Sequence, residues 1–230
     1  MNYSEFQKIT ALSKRNFYNY MCGQDSALNK KASDKNGKAN LKRIFNSTIR
    51  ISNKKGFKAM TLRELSRESN ISLGALYTYF KSKEQLLEML QQSGRSLVQS
   101  VLSDMMARFT QPREQLEAGI RSHIYLSEIM QPWFYFSFME AKNLSVNEQK
   151  RAVYSELFTE EIFAGILKQG QDSGEFIQED HSLGASTVKA LLQDWYLKRS
   201  KYRRRKVHVD EYADFVVNMV LSFFCANELN

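Results

Sequence analysis

Residues Thr61 to Glu84, T-L-R-E-L-S-R-E-S-N-I-S-L-G-A-L-Y-T-Y-F-K-S-K-E, encode two short helices with a tight turn between them, then a second turn and the start of a third helix. Thr61 is a good N-cap, and Glu64 three positions on completes a capping box. Leu62 and Leu65 give that helix its buried side, while Arg63 and Arg67 point outward. Asn70 suits the left-handed conformation that ends a helix, and Ser72 can cap the next one. Leu76 and Phe80 lie four apart and pack inward together, leaving Ser72, Leu73, Ala75, Thr78 and Tyr79 largely outside. A helix this short, with small residues at its N-terminal end, fits the DNA major groove as the second helix of a helix-turn-helix does. Ser82 and Gln85 predict another capping box, with Lys83 in the first turn. A cation there opposes the helix dipole, so an anionic partner such as phosphate is a reason for it.

The order of these features is more specific than any one of them. An apolar helix over Leu41 to Ile51, the turn pair Gly56-Phe57, the Thr61 block and the Ser72–Glu84 block follow one another. In that order the segment resembles the DNA-binding domain of the tetracycline-repressor (TetR/AcrR) family of bacterial transcription regulators. The resemblance covers about a fifth of the chain. It implies an all-α fold, with an N-terminal three-helix helix-turn-helix domain and a larger C-terminal helical domain for effector binding and dimerisation. The corresponding division is the DNA-binding domain over 39–84 and the effector domain over 85–230, while residues 1–38 form an N-terminal arm that departs from the family pattern.

Within the motif, Ser72, Tyr77, Tyr79, Lys81 and Lys83 match positions that the family uses largely for phosphates and groove edges. Thr61 can offer a hydroxyl and a helix N-terminal amide to phosphate. Leu73 with Ala75 suggests apolar contact to thymine methyls, which leaves Arg63 as the candidate for a bidentate guanine contact. Gly74 lets the helix approach the groove closely, the alternative being tight packing between helices. A generic three-helix core does not explain why Tyr77, Thr78, Tyr79, Lys81 and Lys83 cluster on one rim. A two-fold dimer would read a palindromic operator in double-stranded DNA.

Charge points the same way. Residues 1–90 carry 17 Lys+Arg against 7 Asp+Glu, a balance of +10, whereas residues 91–230 carry 16 against 18, a balance of −2. A basic module on a near-neutral body is the electrostatic footprint of nucleic-acid binding, and such binding weakens steeply with salt. Membrane-surface binding is the competing explanation. No apolar run approaches the ~20 residues that span a bilayer, and no signal-peptide pattern opens the chain, so no membrane partner and a cytoplasmic location are expected. Cys22 and Cys225 fit no metal or redox spacing, and reduced thiols are the simplest reading.

Two prolines and ten glycines over 230 residues leave room for long helices, and apolar residues recur at helical spacing. The pattern predicts helices over about Ser82–Phe109, Arg113–Met130, Trp133–Lys142, Ser145–Gln171, Ser182–Lys201 and Asp210–Ala226, for about nine helices after residue 39. Before them, Tyr3, Phe6, Ile9, Leu12, Phe17 and Tyr20 suggest one amphipathic helix over Ser4–Met21, followed by a polar linker over Cys22–Asn40. Such an arm either enters the minor groove or packs its apolar side on the protein.

Residues 123–139, H-I-Y-L-S-E-I-M-Q-P-W-F-Y-F-S-F-M, are dense in aromatics. His123, Trp133, Phe136 and Met139 from this stretch are expected to line a mainly apolar pocket for a small effector. Met105, Met106, Phe109, Phe158, Phe163 and Trp195 would complete it from other helices; for any single aromatic, ordinary core is the competing reading. The lining favours an apolar or amphipathic ligand, such as an acyl chain, an acyl-CoA or an aromatic compound. Arg121 or His123 can hold a polar head, although a surface role fits equally well.

The last two helices carry apolar stripes: Val188, Leu191 and Leu192 on one, Phe215, Val216, Met219, Val220 and Phe223 on the other. The family resemblance implies that they pair with their mates in a homodimer as a four-helix bundle. Lys198 to Lys206, K-R-S-K-Y-R-R-R-K, reads as a solvated loop whose cations suit a helix C-terminus, with phosphate binding as the alternative. Catalysis is not expected: His123, His181 and His208 are isolated, no metal or cofactor spacing exists, and no nucleophile motif or phosphate loop appears. The expected function is a DNA-binding regulator, most simply a repressor released by its effector. The rival is a protein of the same fold controlled by a protein partner, which a filled core with an exposed patch would favour over an enclosed pocket.

Overall fold

The computed structural model describes the backbone of residues 1–23, 35–141 and 146–225, and their side chains except at 23, 35 and 146–158. Among these residues the chain forms twelve α-helices: α1 (Tyr3–Thr10), α2 (Phe17–Gly23), α3 (Lys35–Lys55), α4 (Leu62–Ser69), α5 (Leu73–Tyr79), α6 (Lys83–Met106), α7 (Pro112–Ile129), α8 (Gln131–Glu140), α9 (Val146–Asp172), α10 (His181–Leu197), α11 (Arg199–Arg204) and α12 (Val209–Phe224). One antiparallel bridge, Phe176 to Cys225, is the extended pairing among them. The all-α fold is as expected. No helix of the described residues is long and apolar enough to cross a membrane.

The chain divides into two compact units. One comprises Ser13–Leu97 with Met130–Val153 and contains the helix-turn-helix; the other comprises Met1–Leu12, Val98–Ile129 and Tyr154–Asn230. The units therefore interleave in sequence, whereas the sequence reading runs consecutively through 1–38, 39–84 and 85–230. The reason lies in α8, which packs on α3.

In the unit that contains the helix-turn-helix, α3 is the hub, packed by α2, α4 and α8. Leu41, Ile44, Phe45 and Ile49 of α3 are buried together with Leu65, Leu76, Phe80 and Leu86. Trp133 of α8 lies over Gly94 of α6 so closely that a Cβ at residue 94 would come within 1.9 Å of the indole. The indole Nε1 donates to the Leu90 carbonyl at 3.0 Å, so the aromatic body is buried and its polar atom is satisfied. Phe136 meets the Phe57 ring edge-on, with centroids 6.4 Å apart.

In the second unit α7 is central, buried over most of its length and packed by α1, α10 and α12. Gly119 leaves the space that Phe163 and the Met106 Sδ occupy, since a Cβ there would sit 2.9 and 3.0 Å from them. Asp210 at the start of α12 accepts from the Tyr125 hydroxyl at 2.8 Å and from the Tyr3 amide at 2.7 Å. The Arg199 guanidinium pairs with Glu128 at 2.8 Å and lies 4.3 Å over the Trp195 ring.

Three boundaries differ from the sequence reading. The expected helix over Ser4–Met21 is two helices, because Ala11 adopts the left-handed conformation (φ 54°) and the Asn16 side chain accepts from the Ser13 amide. Both halves bury their apolar side on protein, Phe6 in the second unit and Phe17, Met21 and Cys22 in the DNA-binding unit. Burial raises the Cys22 thiol to about 12, so it stays protonated and unreactive. The expected polar linker over Cys22–Asn40 is helical from Lys35 onward, in α3, while its Lys30 and Lys31, and Ser145 at the start of an expected helix, lie outside the described residues. Finally, the run Lys198–Lys206 holds a helix, α11, where a loop was expected. Lys201 and Tyr202 both donate to Asp194, and Tyr202 stacks on Trp195 at 5.1 Å, which ties the segment back onto α10.

Candidate nucleic-acid interface

The turn that opens the helix-turn-helix begins at Gly56 (φ 85°), whose amide closes on the Ser52 carbonyl. Thr61 caps α4: its hydroxyl oxygen accepts from the Glu64 amide at 3.2 Å. The expected reciprocal half of a capping box is replaced by an ion pair, since the Glu64 carboxylate bonds Lys55 at 2.5 Å. That hydrogen bond from Lys55 holds the Glu64 carboxyl below its usual range. Asn70 ends α4 in the left-handed conformation (φ 53°), and its amide returns to the Arg67 and Ser66 carbonyls. Ser72 then caps α5 by accepting from the Ala75 amide at 3.2 Å.

Leu76 and Phe80 anchor α5 inward and are fully buried. The opposite face is open: Leu73 is 37% exposed and Tyr77 51%. Ser72, Gly74 and Thr78 are also exposed, and Ala75 is half-buried. A Cβ at Gly74 would meet nothing within 4 Å, so this glycine keeps the helix surface low rather than relieving a contact with another helix. Thr61, Arg63 and Lys81 are exposed around the same motif. The arrangement is a short helix anchored on one side, bare at its N-terminal end and rimmed by hydroxyls and cations. It can enter a groove and donate to phosphates.

Two residues expected at this surface are placed otherwise. Tyr79 is buried, and its hydroxyl accepts from the Asn40 side-chain amide at 3.0 Å, because its position on α5 faces α3 rather than outward. Lys83 is half-buried and turned back on the preceding turn, donating to the Lys58 and Met60 carbonyls at 3.1 and 2.7 Å. At Ser82 the cap forms, but the Gln85 side chain reaches the Lys81 amide rather than that of Ser82. Sequence reasoning missed Asn40 and Glu140, whose Oε1 accepts from the Phe57 amide at 2.9 Å. A lone carboxylate ending the aromatic run W-F-Y-F-S-F-M-E was the available signal.

The expected effector residues fall into both units. Met105, Met106, His123, Phe163 and Trp195 are buried in the second unit, where Met106 and Phe163 meet over Gly119. Phe109 is exposed at the end of α6, and the Phe158 side chain lies outside the described residues. Trp133 and Phe136 are buried in the DNA-binding unit, packed on Gly94 and Phe57, and Met139 is exposed there. The expected pairing residues also divide. Val188, Leu192, Val216 and Val220 are buried, Leu191 is half-buried, and Phe215, Met219 and Phe223 are exposed. An apolar groove of about 330 Å³ runs between α10 and α12, lined by Leu183, Thr187, Leu191, Met219 and Phe223 among others.

Comparison with known proteins agrees with this geometry. The model of the bacterial regulatory proteins of the tetR family matches residues 44–90, and that of the tetracyclin repressor-like C-terminal domain matches residues 110–220. The chain belongs to the TetR family. Its TetR motif is 53% identical over 45 residues to an uncharacterised HTH-type transcriptional regulator, YerO, of Bacillus subtilis; the match spans 20% of this chain and 16% of that protein. A tetR-family regulatory protein from Rhodococcus RHA1 superposes with a TM-score of 0.73 at 21% identity, covering 82% of this chain and 98% of that one. FadR from Bacillus subtilis, solved with stearoyl-CoA, superposes with a TM-score of 0.64 at 17% identity, covering 78% and 97%. At these identities the structures show a shared TetR fold. The protein is a DNA-binding regulator of this family and not an enzyme. Among the described residues no group of three or more His, Cys, Asp or Glu side chains could hold a metal.

His123 gives the second unit a pH dependence. Burial, reinforced by the nearby charge of Lys189, pushes the imidazole well below 6.5. As pH falls below that value the unfolded chain takes up a proton that the folded one refuses. The stability linked to neutral His123 is complete above about pH 6.5 and declines below it, by at most about 1.4 kcal/mol per pH unit. Urea unfolding at pH 7.5 and 5.5 should show this loss, and His123→Gln should flatten it. Parallel slopes for the two proteins would refute the assignment.

Proposed function

We propose that the protein is a homodimeric repressor that leaves a palindromic operator when a small apolar or amphipathic effector binds its second unit. The observation that carries the DNA half is the bare face of α5, with Leu73, Gly74 and Tyr77 exposed over buried Leu76 and Phe80. Leu73 and Ala75 would touch thymine methyls, Arg63 a guanine edge, and Thr61, Ser72, Tyr77, Thr78 and Lys81 the backbone. Replacing both Tyr77 and Lys81 by Ala should weaken binding to the operator by about 1–3 kcal/mol and lower the salt slope by about one unit. Anisotropy titrations between about 50 and about 200 mM salt, across which log K falls linearly with log salt, measure both. Unchanged affinity and slope in a folded double variant would refute the interface.

The groove between α10 and α12 supports the pairing. Leu183 is 66% exposed and Phe223 57%, beside Leu191 and Met219, a continuous apolar surface that a second copy of the chain would bury. Phe223→Glu leaves the buried residues of the unit in place and should give a monomer that no longer holds a two-half-site operator. Light scattering that finds the wild-type chain monomeric at micromolar concentration rules out the dimer.

For the effector, the buried Met106 and Phe163 around Gly119, with Met105 also buried in that unit, favour an apolar chain, and the likeness to FadR with stearoyl-CoA favours an acyl-CoA. An effector releases DNA only by binding the DNA-free state more tightly. Long-chain acyl-CoA should raise the melting temperature and displace operator, whereas CoA alone should do neither. Met106→Ala, which removes side-chain volume without burying a charge, should weaken the effect while leaving DNA binding largely intact. No stabilisation by any acyl-CoA would reject that ligand class.

A further inference from the structure

The turn between α3 and α4 is held at both ends by charge. It leaves Gly56, closes through the Met60 amide on the Phe57 carbonyl at 3.1 Å, and delivers the chain to the Thr61 cap. At its amide end, the buried Glu140 carboxylate of α8 accepts from the Phe57 N–H. At its carbonyl end, the Lys83 ammonium of α6 donates to Lys58 and Met60. The same ammonium lies 5.1 Å from the centroid of the buried Phe57 ring, which Phe136 of α8 meets from its own edge. One peptide N–H, that of Phe57, thus faces an anion and two peptide carbonyls face a cation, the arrangement that strengthens each hydrogen bond over a neutral one.

We infer that Glu140 and Lys83 are positioning residues for DNA binding: they clamp the Gly56–Met60 turn and so set where α4 and α5 begin. This rests on the DNA-binding reading of α5 and changes the role of one motif residue. Lys83 acts through the turn, since two of its three ammonium donors are directed at the Lys58 and Met60 carbonyls. Glu140 enters the DNA-binding machinery from a helix 83 positions away in sequence from the residue it holds. Trp133, seated over Gly94 with its indole bonded to Leu90, and Gln91, whose amide donates to the Ser137 carbonyl at 3.1 Å, keep α8 in register for that contact.

The test uses the full-length protein and a duplex selected by the wild type from a random pool. Affinity is measured across a salt series for Lys83→Met, Glu140→Leu and Glu140→Gln, with Lys81→Ala as a phosphate-contact comparator. Lys83→Met and Glu140→Leu should each weaken binding about tenfold to a hundredfold, the worth of a hydrogen bond to a charged group. The salt slope should stay at the wild-type value in both and fall only in Lys81→Ala. Glu140→Gln retains an oxygen acceptor for Phe57 and should recover most of the affinity. Amide hydrogen exchange at Phe57 should quicken in Lys83→Met and in Glu140→Leu, a readout that carries the test should one variant bind too weakly to titrate. A slope lowered by about 0.9 in Lys83→Met would make Lys83 a phosphate ligand and overturn the inference. Unchanged affinity with unchanged Phe57 exchange in both variants would overturn it too. A wild type that selects no duplex would instead overturn the DNA-binding reading itself.

Discussion

A seven-residue helix does not hold its own shape in water, since isolated helices shorter than about 12–15 residues are marginal. Helix α5, the second of the helix-turn-helix, is of this kind, and the rest of its unit can be read as what makes so short a helix rigid. Ser72 satisfies one orphan amide, Asn70 turns the chain into the cap, and Leu76 and Phe80 supply the buried side. With orientation provided from beneath, the upper face needs no packing role. That is why Gly74 can sit there with open space where a side chain would be, although glycine weakens a helix by roughly 1 kcal/mol.

The demand for rigidity extends to α8. Its aromatic side chains are large apolar surfaces, and in a pocket they would face a ligand; Trp133 and Phe136 instead face α6 and the Phe57 turn. Burying rings of this size contributes several kcal/mol at about 25 cal/mol per Å². Asn53 adds a hydrogen bond from α3 to the Pro132 carbonyl at 2.8 Å. Trp133 and Phe136 are therefore explained by packing within the DNA-binding unit, whereas Phe138 stays exposed, and the candidate effector lining in the second unit is a different set of residues.

What was legible in the sequence follows from range. The two caps, the left-handed Asn70 and the Leu76–Phe80 spacing are determined within four residues, and they stand where the residues say. Tyr79 and Lys83 lie in the same motif, but their partners, Asn40 and the Lys58 and Met60 carbonyls, lie 23 to 39 positions away. A rim position on a helical wheel does not reveal whether such a partner exists. The break at Ala11 was hidden for a different reason. Ala is the best helix former, and the apolar spacing on either side continues without interruption. The α11 run read as solvated charge because seven cations without an acid suggest a loop, whereas Glu128 and Asp194 on other helices pair with two of them, Arg199 and Lys201.

The two closing helices show why a stripe in the sequence is not yet an interface. A helix on the surface of a unit has one apolar side, about 100° wide or more, turned inward. On α10 the inward residues are Ala185, Val188, Leu192 and Trp195; on α12 they are Ala213, Val216, Val217 and Val220. These meet the needs of the unit itself, so a charge at Val216 would break its core before it broke any pairing. Leu183 on α10, with Phe215, Met219 and Phe223 on α12, forms a second apolar side that the unit does not cover. Apolar residues on both sides of two adjacent helices are the composition of a buried pair, yet each helix is covered on one side alone. It is this surplus, rather than the stripe that the sequence displays first, on which the proposed pairing of two chains depends.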